Sequence, residues 1–320
     1  MLITNNVIRS ATRDKSTRLA CVVICRENET FLENLAKLDC DFYIIRQPGL
    51  SDWKSAIANK PDNVYLIDDL TDMLGVPVDF AICNDRLQEF DLGYQVSLLA
   101  HIPLVLIDHV SSDIKQKLPL FASVGDNQSF YTRPSDINIS LSENIKKSWP
   151  SNTISICIPP LINESCFDYE VDSKEGVLID NNIPQDAVNV IANVFNRADC
   201  TFRYVDNTNC SDPKNYKVYV NTWNNIGTKT LQAMAAGCIT ISPRNKETES
   251  LIEHEKNGLL FEGPKHLYDL VDKSLNGDYS HIIKNSVETA REMSCNEEVF
   301  LQKWKQVLDY ISNLFYIRKQ

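Results

Sequence analysis

Short, wholly apolar runs alternate with segments of helical spacing along nearly the whole chain. Leu19 to Cys25 (LACVVIC) is apolar at every position, the pattern of a strand buried on both faces. Val64 to Ile67, Phe80 to Cys83 and Pro103 to Ile107 repeat it, and Asp41 to Arg46 (DFYIIR) does so between charged ends. Between them, Glu29 to Leu38 (with Asn28 as cap), the stretch SDWKSAIANK from Ser51, and Leu87 to Ala100 space their apolar residues as amphipathic helices do. Strands alternating with helices predict a parallel sheet covered on both faces.

A second series follows. Ile137 to Ser140 and Ser155 to Ile158 bracket the helix-like SENIKKSW, and Pro159-Pro160 then interrupts regular structure as a natural hinge. Gly176 to Ile179, Thr201 to Val205, Val218 to Asn221, Ile239 to Ser242 and Gly258 to Phe261 read as strands, with a helix over Gln185 to Ala198. From His266 onward the pattern is helical, closing with a long stretch from Glu297 to about Arg318. No internal repeat or low-complexity segment interrupts it. The expected fold is α/β: two doubly wound domains facing a cleft, joined near residues 160 to 174. Ligands of such sheets sit beyond the carboxyl ends of the strands, where helices begin.

Composition narrows the class. The 320 residues suffice for two domains, and 43% hydrophobic with 23% charged residues is ordinary for a globular protein. No apolar run approaches the roughly 18 residues of a membrane helix, which leaves room only for a peripheral membrane contact. Met1 to Thr17 is polar and lacks a signal-peptide core, so a cytoplasmic location is expected. The 10 cysteines form no C-x-x-C pair and no zinc-like cluster; Cys21, Cys25, Cys83, Cys157 and Cys238 lie in apolar runs. They read as reduced structural thiols, with no metal. A net charge of −11 argues against a broad nucleic-acid surface, and Lys146-Lys147 reads as a solvated helix face.

The candidate chemistry lies in Val218 to Ser242, VYVNTWNNIGTKTLQAMAAGCITIS. An apolar strand runs into a polar turn, Gly227 permits close backbone approach, and a helix opens with Thr228, Lys229 and Thr230. Its N-terminal N–H groups and dipole favour an anion such as a diphosphate, to which Lys229 adds a point charge and Thr228 a hydroxyl. Gly237 ends the helix in a left-handed cap. Spacing alone is equally compatible with an ordinary βαβ unit.

The run NNIGTKTLQAMAAGCITIS resembles the nucleotide-sugar signature of retaining GT-B glycosyltransferases, the glycogen-synthase-like group of glycosyltransferase family 4. The usual form there is E-G-F-G-x-x-x-x-E-A-M-A-x-G-x-P-V. Gly227, Ala233, Met234, Ala235 and Gly237 fall in register. Glu249-Ser-Leu-Ile with Asn257-Gly-Leu-Leu-Phe, and upstream SLSENIKK, IPPLINESCF and HIPLVLIDH, resemble further family segments, so the likeness runs in order from about residue 80 to 270. It implies Rossmann-like domains: an acceptor domain over 1–160, a nucleotide-sugar domain over 161–305, and a terminal helix, 306–320, crossing back to the N-terminal domain. It implies a glycosyltransferase (hexosyl- or pentosyltransferase in type) with retention of configuration and no metal or cofactor, a UDP- or GDP-sugar being the donor. His109 matches a histidine near the transferring sugar, and Asn224 a residue that contacts the donor sugar; these are the catalytic candidates. Asn225, Ile226, Gly227, Thr228, Lys229, Gln232 and Arg244 are the donor-binding candidates.

The departures bear on activity. The two motif glutamates fall on Asn224 and Gln232, where amides still bond hydroxyls but without charge assistance. Asn181 and Asn182 stand where the family places a cation reaching the phosphates. A catalytically degenerate binding or scaffolding protein is therefore the alternative reading. A glycosyltransferase acting on a modified nucleic-acid base is a further one. The acceptor is not legible: a glycan, lipid, protein or modified base all fit. Asn84, Asp85 and Asp108, at strand ends, read first as caps, and Glu247 and Glu249 as the acidic start of a helix. No G-x-S-x-G elbow, P-loop or dinucleotide fingerprint occurs.

Overall fold

The computed structural model describes residues 18–24, 29–45, 53, 59–68, 78–83, 88–108, 135–149, 154–170, 174–180, 202–205, 213–222 and 227–317. The chain divides into two compact units, Met1–Pro159 with Glu298–Gln320, and Pro160–Glu297.

In the first unit the apolar runs become β1 (Leu19–Ile24), β2 (Cys40–Ile45), β3 (Val64–Ile67), β4 (Phe80–Cys83), β5 (Leu104–Asp108), β6 (Ile137–Ser140) and β7 (Ile154–Cys157). They form one sheet in the order β3-β2-β1-β4-β5-β6-β7, every neighbouring pair parallel. The chain moves outward from β1 to β3, then returns to β4 on the other side of β1. The order therefore reverses between β1 and β4. Continuous apolar runs are needed because both faces are covered: β4 and β5 are buried at every residue. The helices α1 (Glu29–Leu35), α2 (Gln88–Ala100) and α3 (Glu143–Ser148) lie between the strands. Phe90 and Val96 of α2 pack on Val22, Ile24, Ala81 and Leu104.

Side chains close the amino edge of this sheet. Asp79, just before β4, accepts the Ala20 amide at 2.7 Å, and Asp136, just before β6, accepts that of Leu104 at 2.9 Å. Asn63, just before β3, donates to the carbonyls of Ala36 and Cys40, both at 2.8 Å. Each satisfies a backbone group that the ladder leaves over at a strand end.

In the second unit, β8 (Val177–Asp180), β9 (Phe202–Val205), β10 (Val218–Val220), β11 (Ile239–Pro243) and β12 (Leu259–Phe261) form a parallel sheet ordered β12-β11-β10-β8-β9. Its order reverses between β8 and β10. The helices are α4 (Thr228–Ala235), α5 (Pro264–Asn276) and α6 (Ser280–Met293). One face of the sheet, with Ile179, Val220 and Ile241, packs on Leu267 and Val271 of α5. On the other side, Leu231, Met234 and Ala235 of α4 pack with Leu251, Leu260 and Ala290.

The long closing helix, α7 (Glu297–Ile317), belongs to the first unit from Glu298 onward. Trp304 is 1% exposed, its ring 6.3 Å from that of Phe31 on α1, and Lys303 donates to the Cys157 carbonyl at the end of β7 at 2.8 Å. The return of this helix to the N-terminal sheet agrees with the sequence expectation. Among the described residues no helix is long and apolar enough to cross a membrane.

Candidate functional site

β10 is a fully buried Val-Tyr-Val strand beside the point where the sheet order reverses. Asn221 prolongs its ladder, donating its amide to Ile241 at 2.9 Å. After Thr222 the described chain resumes at Gly227, which opens α4. Leu, Gln, Ala, Met and Lys are strong helix formers, and Leu231, Met234 and Ala235 repeat at the spacing of one buried face.

The two ends of α4 are built differently. At its start, Gly227 adopts an extended conformation (φ −98, ψ 175) and supplies no side-chain cap. The amides of Thr230 and Leu231 both donate to its carbonyl, at 3.1 and 3.3 Å. Thr228 lies ahead of them, and its N–H and hydroxyl find no partner among the described residues. A Cβ placed on Gly227 would meet no described residue within 4 Å. Neither its backbone angles nor any described neighbour requires a glycine.

At the far end, Gly237 has φ +72, its amide donating to Met234 at 3.0 Å and that of Cys238 to Ala233 at 2.9 Å. This is a Schellman closure, in which the left-handed residue favours glycine. Space requires it as well: a Cβ there would overlap the ring of Tyr169.

Of the expected donor-binding residues, Gly227, Thr228, Lys229 and Gln232 share α4, within about one turn of its start. Arg244 follows the adjacent strand β11, its amide donating to Phe261 at 2.8 Å. Its guanidinium is held by two carboxylates, Nη1 to Glu249 and Nε to Glu262, each at 3.0 Å. His109, Asn224, Asn225 and Ile226 lie outside the described residues, as do Asn84, Asp85, Asn181 and Asn182. Asp108 is described, and is fully buried at the end of β5 opposite Ser140.

The acidic segment expected to begin a helix after Arg244 does not do so. Asn245 Oδ1 takes the amides of Glu247 and Thr248 at 2.9 and 3.1 Å, which tightens the chain into a 3-10 turn over Thr248–Ser250. Asn257 then holds the following bend, accepting from the Glu253 amide and donating to Leu251 and Thr289. Tyr169 and Lys174, which carry no recognisable sequence pattern, reach the C-terminal end of α4.

Among the described residues no group of three or more His, Cys, Asp or Glu side chains could hold a metal. Cys21, Cys83 and Cys238 are buried thiols. Burial, reinforced by nearby Glu143, pushes the Cys157 thiol up, which disfavours the nucleophilic thiolate.

No protein-family model matches the chain, and no curated protein matches its sequence. Solved structures do match its fold. HepE from Anabaena, in complex with UDP, aligns with a TM-score of 0.64 at 12% identity, covering 92% of this chain and 100% of its own. Sucrose-phosphate synthase from Thermosynechococcus elongatus aligns at 0.67 and 13%, covering 92% and 99%. A glycosyltransferase from Rickettsia africae aligns at 0.59 and 10%, again covering 92% and 99%. With two parallel, doubly wound units and a terminal helix returning to the first, the chain has the GT-B fold.

Proposed function

We propose that this protein is a glycosyltransferase that holds the diphosphate of a nucleotide-sugar at the start of α4 and transfers the sugar to an acceptor. One observation carries the reading: beside the point of strand-order reversal, a helix begins at a glycine whose missing side chain no described residue requires. Backbone N–H groups and the helix dipole at such a point stabilise an anion, typically by 0.3–1 and up to about 2 kcal/mol. Lys229, in the first turn, adds a cation. Gln232 stands one turn from Thr228, where the family likeness assigns contact with the nucleotide ribose.

HepE structures with UDP, with UDP and glucose, and with UDP-glucose support a UDP-linked donor. In the proposed reaction the departing diphosphate is stabilised electrostatically by α4 and Lys229, a role that calls for no metal. Orientation of the sugar by Asn224, Asn225 and Ile226, participation of His109, and retention of configuration rest on the family likeness. The same holds for an acceptor-binding N-terminal domain.

A second reading, a binding subunit without turnover, is favoured by one specific arrangement. Arg244 is bracketed by Glu249 and Glu262, so its charge is already compensated, and Gln232 lacks the charge of the family's glutamate.

Calorimetric titration with UDP, GDP, TDP and ADP sugars tests the donor site. UDP-glucose is expected to bind, and Lys229→Ala to weaken UDP about tenfold while leaving uridine nearly unchanged. Absence of binding to every nucleotide-sugar would defeat the proposal. Binding without sugar release or transfer across a panel of acceptors would select the second reading.

A further inference from the structure

The end of α4 remote from the proposed diphosphate is anchored by an unusual group. Lys174, in the segment that leads into β8, is only 6% exposed, and its ammonium donates to the carbonyl of Ala236, the residue that caps the helix. It lies 5.8 Å from the centroid of the Tyr169 ring, the same ring that covers Gly237. Earlier in that segment, Ile162, Cys166 and Phe167 pack along the side of α4 against Leu231, Met234 and Ala235.

A Schellman turn alone closes a helix adequately. Here the amides of Gly237 and Cys238 already serve the carbonyls of Met234 and Ala233. The lysine serves the carbonyl of Ala236, which those two amides do not reach. Burying an ammonium for one further carbonyl is costly unless its hydrogen bonds are made and kept. What it adds is a fixed point. α4 has 8 residues. At 1.5 Å per residue it spans ~12 Å, short and stiff enough that a shift or tilt at one end reaches the other. A cation at the C-terminal end also complements the negative pole of the helix.

We propose that Lys174, with Tyr169 over it, is a positioning residue for the donor diphosphate: it sets the position of α4, and so the aim of the amides of Thr228 and Lys229. It touches no substrate. This rests on the reading of the α4 N-terminus as the diphosphate site. Hydrogen bonds to an anion weaken steeply when the donor angle is lost. The one nucleoside contact assigned to α4, that of Gln232 to the ribose, is a neutral hydrogen bond of about half the strength, so the nucleoside loses much less than the diphosphate.

The test is calorimetric titration of the full chain with UDP, with uridine measured by competition. In Lys174→Met, UDP affinity falls about tenfold, the size of one charge-assisted hydrogen bond, while uridine stays within about twofold. Lys174→Arg, which keeps the charge and a donor, recovers most of the UDP affinity. Should Lys174→Met fail to fold, Tyr169→Leu loosens the same anchor and is expected to cost UDP about threefold, again without affecting uridine. Equal losses for UDP and uridine, or UDP binding unchanged in the variants that fold, overturn the proposal. A wild-type chain that does not bind UDP overturns the α4 reading itself, and this inference with it.

Discussion

At the C-terminal end of α4, Gly237, Cys238, Lys174 and Tyr169 all converge, and the carbonyls of Ala233, Met234 and Ala236 are taken by the protein's own donors. At the N-terminal end, Gly227 offers no side chain, and among the described residues Thr228 has no partner and nothing stands where a Cβ would. One helix thus carries two glycines, ten residues apart in sequence, with opposite reasons for being there. Gly237 is demanded by the fold. No described residue demands Gly227, and on the proposed reading the demand on it comes from the donor diphosphate.

Substitution should separate the two. Gly237→Ala combines a left-handed backbone angle with a contact far inside van der Waals distance, and should destabilise by about 2–4 kcal/mol, read as a lowered urea midpoint. An unchanged midpoint would mean that the Tyr169 ring moves aside at no cost. Gly227→Ser should act with opposite signs on two readouts. Serine is a better N-cap than glycine, so stability should hold or rise by a few tenths of a kcal/mol. UDP affinity should nevertheless fall about tenfold, because the side chain fills the mouth of the helix. Loss of stability and binding together would erase the distinction between the ends.

The smallest expected effect concerns α6, which lies against α4. Asp278 accepts the hydroxyl and amide of Ser280 at 2.6 and 3.0 Å, bonds that hold its carboxyl below the usual carboxylate range. A depressed value means that the stabilisation is present above the ordinary range and is lost as pH falls through the lowered one. Asp278→Asn should therefore flatten the acid limb of a stability-against-pH profile without moving UDP affinity at neutral pH. A profile superimposable on wild type would show that Asp278 is irrelevant to the helix start.

The strands were legible because parallel strands buried on both faces are apolar in near-continuous runs, as LACVVI and LVLI are. Gly237 was legible because a helix ending Ala-Ala-Gly before an apolar strand announces its own cap. The environment of Arg244 was not. Glu249 is five positions away, and Glu262 reaches it only because β11 and β12 run side by side, a register that no local pattern encodes. Lys174 was hidden for the same reason, since its partner Ala236 stands 62 positions later. Helical charge at Glu247 and Glu249 misled because Asn245 captured the amides first. Longer-range polar pairing is where sequence pattern runs out.

The side chains of Asn63, Asp79 and Asp136 knit one rim of the N-terminal sheet, so strand alignment there is secured away from the rim on which ligands of such folds gather. Selection can then rewrite the loops of the second rim without unpicking the first. Such a frame tolerates wide variation in sequence: at 12% identity to HepE, 92% of this chain still aligns with that fold.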